Sequence, residues 1–231
     1  MFAAKQTSKD WIYEKAKESM EWVKRRQQSL AREILFLEMI KSPNVIGFVE
    51  LIITKNNYYC IIEYANGGSL QGLLNIYKRF PEKVARKILK QIIAGCTAMY
   101  DAQVMHRDLK LDNILIHFPD RDSFTKMTDE DLLKIDLTKE KFVIKIADLG
   151  FAREIEDETK KRRFTYVGSP LLMPPEQLIT RWDDTTEGYD YKIDVWALGG
   201  IFYYMLTGMF IFLPTEKASY DMALKNLHKL I

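Results

Sequence analysis

The chain has 231 residues, 47% hydrophobic and 29% charged, a balance that suits one globular domain or two small lobes and excludes wholesale disorder. Its 34 Lys+Arg against 32 Asp+Glu leave a formal +2, which excludes the broad basic field of a dedicated nucleic-acid or membrane-surface binder. Any anionic ligand must be held by a local site. Two cysteines, Cys60 and Cys96, both in apolar stretches, make no disulfide framework and point to a reducing compartment, the cytosol or the nucleus. Met1 is followed by Phe-Ala-Ala-Lys-Gln, so no secretory leader is expected.

In chain order, Ser8 caps a predicted helix running to about Ile40, because Trp11, Ile12, Met20, Val23, Leu30, Ile34 and Leu37 fall mostly on one side at helical spacing. Lys41-Ser42-Pro43-Asn44 ends it, since the residue before a proline is pushed out of the helical region. Two strands follow, Val45 to Thr54 and Tyr58 to Tyr64, with Lys55-Asn56-Asn57 as the hairpin turn. Asn66-Gly67-Gly68-Ser69 breaks the alternation. Helices are then expected from Leu70 to Arg79 and, after Pro81 in the first turn, to about Gln103. Val84, Ile88, Ile92 and Cys96 form a core stripe there, beside Leu89 and Ile93. Val195 to Leu213 runs 19 residues without a charge. That length reaches across a bilayer core, but Gly199-Gly200 interrupts it and Gly208 closes it, so a fully buried helix is the competing reading. Strands early and helices later describe an α+β chain, a small mixed lobe joined to a larger helical one at Tyr64 to Gly68.

The segment His106-Arg107-Asp108-Leu109-Lys110-Leu111-Asp112-Asn113, followed by the apolar Ile114-Leu115-Ile116, resembles the catalytic loop of the eukaryotic protein kinases, H-R-D-L-K-x-x-N. The resemblance implies that Asp108 accepts or orients the proton of an attacking hydroxyl, that Lys110 neutralises the transferring phosphate and that Asn113 holds a magnesium ion. These residue types suit the chemistry. Phosphoryl transfer asks little covalent work of a protein and rests on in-line positioning and on cations facing the charged phosphate oxygens. Downstream, Phe142 to Ala147 reads as an apolar strand ending in Asp148-Leu149-Gly150, similar to the family's magnesium-binding D-F-G with Leu149 in place of Phe. Magnesium is a hard cation that takes carboxylate oxygen, which Asp148 supplies, whereas the middle position only packs. Gly168-Ser169-Pro170, Met173-Pro174-Pro175-Glu176 and Asp194-Val195-Trp196-Ala197-Leu198-Gly199 are similar to three later family motifs. The last makes the uncharged run a buried helix, whose Asp194 would accept hydrogen bonds from the catalytic-loop backbone. The resemblance thus implies a two-lobed, protein-kinase-like α+β fold over residues 1–231, with a small lobe at 1–64 and a large lobe at 65–231.

The small lobe resembles the family more loosely. Glu33, in Ala31-Arg32-Glu33-Ile34-Leu35, sits where the family's helix places the glutamate that pairs with a strand lysine, and Phe2-Ala3-Ala4-Lys5 is similar to the V-A-I-K strand. The resemblance makes Lys5 the phosphate-contacting lysine and Ala3 part of the adenine roof. In the same reading Ile62 borders the adenine pocket, Glu63 and Ala65 offer backbone hydrogen bonds to the base, and Leu115 forms the pocket floor. Lys5 and Glu33 are 28 residues apart, more than the family's usual spacing. Lys15 and Lys17 fit that spacing better but belong to a helical pattern and lack an alanine two residues before. No Gly-x-Gly-x-x-Gly precedes Lys5, and after Gly208 one further helix, about Lys217 to Leu230, is expected. The small lobe therefore reads as lacking the Gly-rich loop and the large lobe as lacking the last helices.

His117 to Lys141 carries seven acids and five bases and reads as a solvated, partly helical surface loop. Between Gly150 and Gly168 an acidic group precedes a basic one. Thr165 stands three residues before Gly168, as the family's phosphothreonine does, with Arg107 and Arg153 as cationic partners for a phosphate. Ile146 to Arg153 is similar to the corresponding loop of autophagy-initiating kinases. The resemblance implies a serine/threonine protein kinase that uses ATP and Mg2+ on protein substrates, with no nucleic-acid partner and no membrane span, and leaves the oligomeric state open. The alternative is a pseudokinase or scaffold that keeps the fold with little turnover.

Overall fold

The computed structural model describes residues 1–16, 20–121, 127–155, 168–179 and 189–211. It opens on a strand, β1 (Phe2–Ser8), followed by α1 (Lys9–Ala16) and α2 (Met20–Met39). Helix begins at Lys9, and Ser8, expected as its cap, ends a strand, paired opposite Asn57 of β3 (Asn57–Glu63). Pairing with β3 satisfies the backbone of residues 2–8 that no helix claims. The expected stripe holds only in part. Ile12, Val23 and Leu37 are buried, Met20 is 63% exposed, and Phe36, absent from the stripe, is fully buried.

β2 (Phe48–Ile53) pairs with the other side of β3, giving an antiparallel sheet in the order β1-β3-β2. This strand begins three residues later than the sequence suggests. Val45 and Ile46 turn instead to β6 (Val143–Ile146): Val45 bridges Ile146 in parallel, and the Ile46 amide donates to the Ile146 carbonyl at 2.8 Å. Two residues of a predicted strand thus become the joint between the sheet and the helical part.

After the linker, α3 (Leu70–Tyr77) starts at Ser69, whose hydroxyl accepts from the Gly72 amide. In α4 (Glu82–Asp101) Val84, Ile88 and Ile92 are buried as the stripe predicts, Cys96 is half-buried and Ile93 is exposed. Burial pushes the Cys60 and Cys96 thiols up, as suits packing rather than reactive cysteines. The β4 strand (Val104–Met105) pairs with β7 (Arg153–Glu154), and β5 (Ile114–His117) pairs antiparallel with β6. Between β5 and β6 lies α5 (Asp129–Leu133), opened by a reciprocal Thr128–Asp131 cap.

The described residues between 117 and 141 are mostly exposed and partly helical, as expected, but four apolar side chains of the stretch turn inward. Phe118, Leu132, Ile135 and Leu137 alternate with the charged positions and are buried in the main core together with Phe142. Two helices complete the described chain, α6 (Pro175–Ile179) and α7 (Lys192–Thr207). α7 buries Ile193, Ala197, Gly200, Ile201 and Met205 but exposes Val195, Trp196 and Tyr203, so it is buried on one face rather than all round. Gly208 ends it at φ 75°. Among the described residues no helix is long and apolar enough to cross a membrane. The helix expected at 217–230 lies outside the described residues.

Gly95 of α4 lets the helix approach the joint closely: a Cβ there would lie 2.6 Å from the Asn44 carbonyl oxygen and 2.8 Å from Ile146 Cδ1. Gly95→Ala should destabilise the protein by about 1–3 kcal/mol through overpacking. Gly72→Ala, whose Cβ meets only Ser69 Oγ at 3.6 Å, should stabilise it by about 0.5–1 kcal/mol through helix propensity. Urea denaturation of the two variants checks the opposite signs.

Candidate active site

Residues 106–113 join β4 to β5 and are held from below by α7. Asp194, in the first turn of that helix, accepts from the His106 amide at 2.7 Å and the Arg107 amide at 2.9 Å, as the sequence reading expects. These bonds fix Arg107 at φ 69°, in the left-handed region that non-glycine residues rarely adopt. The His106 ring locks the next turn. Its Nδ1 accepts from the Asp108 amide at 3.2 Å, so Nε2 carries the proton and donates to the Ala147 carbonyl at 3.1 Å.

Asp108 is 3% exposed and its carboxylate faces three donors. Oδ1 accepts from Ser169 Oγ at 2.9 Å, and Oδ2 accepts from Lys110 Nζ at 2.7 Å and Asn113 Nδ2 at 3.2 Å. Asn113 Nδ2 also donates to the Asp108 carbonyl at 2.9 Å. The amide nitrogen of Asn113 is thereby turned toward Asp108, which leaves its oxygen as the side available to a cation. A carboxylate, an ammonium and an amide oxygen are in this way gathered on one rigid loop.

The second cluster is assembled from three distant elements. Lys5 Nζ on β1 lies 2.6 Å from Glu33 Oε1 on α2 and 2.7 Å from Asp148 Oδ1 after β6. The structure thus brings Lys5 to Glu33 despite their long spacing. Lys15 belongs to α1, and Lys17 lies outside the described residues. Burial pulls the Lys5 ammonium down, but the Glu33 charge and the bonds to Asp148 and Glu33 outweigh it and hold its pKa above the ordinary lysine value. Burial likewise opposes ionisation of Asp148, yet the Lys5 bond and charge keep its carboxyl below the usual range. Asp148 sits at φ 62°, a conformation that aspartate tolerates better than most residues. Ser29 of α2 donates to the Gly150 carbonyl at 2.9 Å, pinning the same turn to the helix that carries Glu33.

Ala3 pairs opposite Ile62 in the β1–β3 ladder, and Leu115 lies on β5 opposite Lys145. Ala65 is buried, while Ile62 and Leu115 are half-buried against the core. Glu63 is held through both its backbone and its side chain. Its amide donates to the Gly47 carbonyl at 2.9 Å. Its side chain is engaged as well: Oε2 accepts from the Gly47 amide at 2.7 Å and from Lys145 Nζ at 2.8 Å, and Lys145 also donates to the Pro43 carbonyl at 3.1 Å. The sequence reading missed Lys145. Its signal was a lone lysine within Val143-Ile144-Lys145-Ile146, a strand otherwise apolar.

The Arg107 guanidinium is directed to the Phe151 carbonyl at 2.7 Å and the Tyr189 hydroxyl at 3.2 Å. Arg153 pairs opposite Met105 in β7, and Thr165 lies outside the described residues.

The family model described as protein kinase domain matches residues 1–231. The chain belongs to the protein kinase family. It is 32% identical to serine/threonine-protein kinase ATG1a of Arabidopsis thaliana over 182 residues, which cover 79% of this chain and 25% of that protein. Against serine/threonine-protein kinase ULK1 of Homo sapiens the identity is 31% over 182 residues, 79% of this chain and 15% of that protein. Against probable serine/threonine-protein kinase fhkC of Dictyostelium discoideum it is 29% over 210 residues, 91% of this chain and 31% of that protein. The chain therefore spans under a third of the length of these curated relatives. Within this kinase domain the mixed helix-and-strand architecture agrees with the α+β fold that the sequence implies.

The Glu63–Lys145 pair gives a pH signature. Burial disfavours the Glu63 carboxylate, but the Lys145 bond, the Gly47 amide and the Lys145 charge outweigh it and hold the carboxyl below the ordinary glutamate value. Such a group stabilises the fold at neutral pH, and the contribution fades as pH falls through the folded-state value. Below about pH 5, where carboxylates begin to protonate, the Tm of wild type should fall more steeply than that of Lys145→Met. Parallel slopes in thermal melts from pH 7 to 3 would contradict the pairing.

Proposed function

We propose that this chain transfers the γ-phosphate of ATP to serine or threonine hydroxyls of proteins, with Mg2+ as cofactor. The observation that carries the reading is the meeting of Lys5, Glu33 and Asp148 from three separate elements, beside a loop that aims Asp108, Lys110 and Asn113 together. In the reaction the substrate hydroxyl oxygen bonds to the γ-phosphorus, the bond to the β–γ bridging oxygen breaks, and ADP departs with the electron pair. Asp108 takes or orients the hydroxyl proton, and Lys110, 2.7 Å from it, faces the transferring phosphate. Glu33 orients Lys5, which holds the non-transferred phosphates. Ala3, Ile62 and Leu115 enclose adenine, whose edge meets the Glu63 carbonyl and the Ala65 amide.

The donor set fits magnesium. Asp148 and Asn113 offer hard oxygen atoms, and this metal is commonly held by one or two protein ligands plus phosphate oxygens and waters. When bound, the cation would neutralise charge between the phosphates. Lys110 and Ser169, both on the Asp108 carboxylate, support Ser/Thr over Tyr acceptors, as do the relatives' names. We further place the lobe boundary at 64/65 and the protein in the cytosol or nucleus, the latter on its two unpaired cysteines. The intact set of Asp108, Asn113 and Asp148 favours turnover over a scaffold role.

Asp108→Asn should leave ATP affinity nearly unchanged while lowering kcat by about 10²–10⁴, the usual worth of a positioned base. Asp148→Asn should raise the Mg2+ concentration needed for half-maximal transfer, and Lys5→Met should raise the KM for ATP. Transfer of radiolabelled phosphate to a generic basic protein reads all three; an unaltered kcat in Asp108→Asn removes that residue from the chemistry.

A further inference from the structure

The linker between β3 and α3 is gripped by the segment that follows β5. Asn66, fully buried, accepts from the Phe118 amide at 2.8 Å through Oδ1 and donates to the Phe118 carbonyl at 3.1 Å through Nδ2. Its own carbonyl accepts from the Met127 amide at 3.1 Å. One linker residue therefore holds two points of the segment, both ahead of α5. Next to this grip, the Gly67 amide donates to the Ile116 carbonyl at 3.1 Å and the Ile116 amide to the Gly68 carbonyl at 2.9 Å. Linker and segment also pack directly: a Cβ at Gly67 would stand 2.6 Å from Phe118 Cε2.

The helix that leaves the linker is held by the same segment. The Tyr77 hydroxyl, at the end of α3, donates to the carbonyls of Leu132 and Ile135, the latter at 2.9 Å. The far end of the segment is itself fixed. Arg121 and Glu140 form a two-pronged ion pair at 3.0 and 3.1 Å, and Lys87 of α4 donates to the Glu140 carbonyl at 2.7 Å. Leu132, Ile135 and Leu137 anchor it in the core. None of these groups takes part in phosphoryl transfer, yet they immobilise residues 66–68, directly after Ala65, whose amide is assigned to the base.

We propose that residues 117–121 and 127–141 act as a brace on the nucleotide-binding linker, with Asn66 and Tyr77 as positioning residues that couple the brace to nucleotide affinity. This rests on the kinase reading given above. The brace restricts the linker to one geometry, so less conformational freedom is lost when nucleotide binds. Coupling of this kind is reciprocal: nucleotide must tighten the brace as much as the brace tightens nucleotide binding.

Hydrogen exchange and calorimetry on the full chain test it with MgADP as the probe. In wild type, MgADP should slow amide exchange at residues 118–121 and 127–135, away from the phosphates. Tyr77→Phe deletes one hydroxyl and no packing volume, and should weaken MgADP binding about tenfold, within the usual range of coupled sites. It should also speed exchange at residues 65–68, raise the KM for ATP and leave kcat within about twofold, a split that general destabilisation would not produce. Asn66→Asp, which keeps the acceptor but loses the donor to Phe118, should shift affinity in the same direction. Wild-type affinity in Tyr77→Phe, or brace exchange unaffected by MgADP, overturns the brace while leaving the kinase reading intact. A wild-type chain that binds no nucleotide overturns both.

Discussion

Ile146 lies opposite Ile114 in the β5–β6 hairpin on one side and is hydrogen bonded on the other to the loop that leads into the sheet. Its amide donates to the Asn44 carbonyl at 2.9 Å, its carbonyl accepts from the Ile46 amide at 2.8 Å, and Asn44 Nδ2 donates to the Ile144 carbonyl at 2.9 Å. With Gly95 of α4 pressed on the same turn, these short bonds leave the loop no other place to sit. They set the distance between two halves of the site, because β6 leads directly to Asp148 while α2, which ends just before the loop, carries Glu33. Lys5 can meet both carboxylates only because this joint brings them together.

The polar site is built so that each ionised group finds its partner inside the cluster. The Asp108 carboxylate is almost wholly enclosed but faces three donors, and Lys5 stands between two acids. Leaving the enclosed Asp108 carboxylate uncompensated would cost several kcal/mol, so its donors must assemble with it. The two left-handed residues near the chemistry, Arg107 and Asp148, have the same logic. Strained backbone persists where surrounding bonds overdetermine it: Arg107 is held by Asp194 and Phe151, and Asp148 by Lys5 of β1.

At the linker the arrangement depends on linkage between surfaces rather than on charge concentration. Glu63 is tied to Gly47 and Lys145, and Asn66 to Phe118 and Met127. The linker between these two residues is thus fixed at each end by different neighbours, at one end Gly47 with Lys145 of β6 and at the other the segment that follows β5. A charged stretch that reads as surface loop also buries Phe118, Leu132, Ile135 and Leu137 in the core.

By itself, the sequence determined the fold class and the grouping of side chains on the loop at 106–113. Residues 106–113 are contiguous, so their spacing alone fixes which groups share a turn, and the i+4 stripe of α4 fixes which of its faces is buried at Val84, Ile88 and Ile92. Lys5 was assignable through the family's strand pattern but not through distance along the chain, since 28 residues separate it from Glu33 and 143 from Asp148. Only the tertiary structure decided that meeting, the place of Ser8 in a strand, the diversion of Val45 and Ile46 to β6, and the roles of Lys145, Asn66 and Tyr77. The reason is physical: local periodicity records which side of an element is apolar, whereas a hydrogen bond between distant elements leaves no period and is fixed only when packing brings its donor and acceptor within reach.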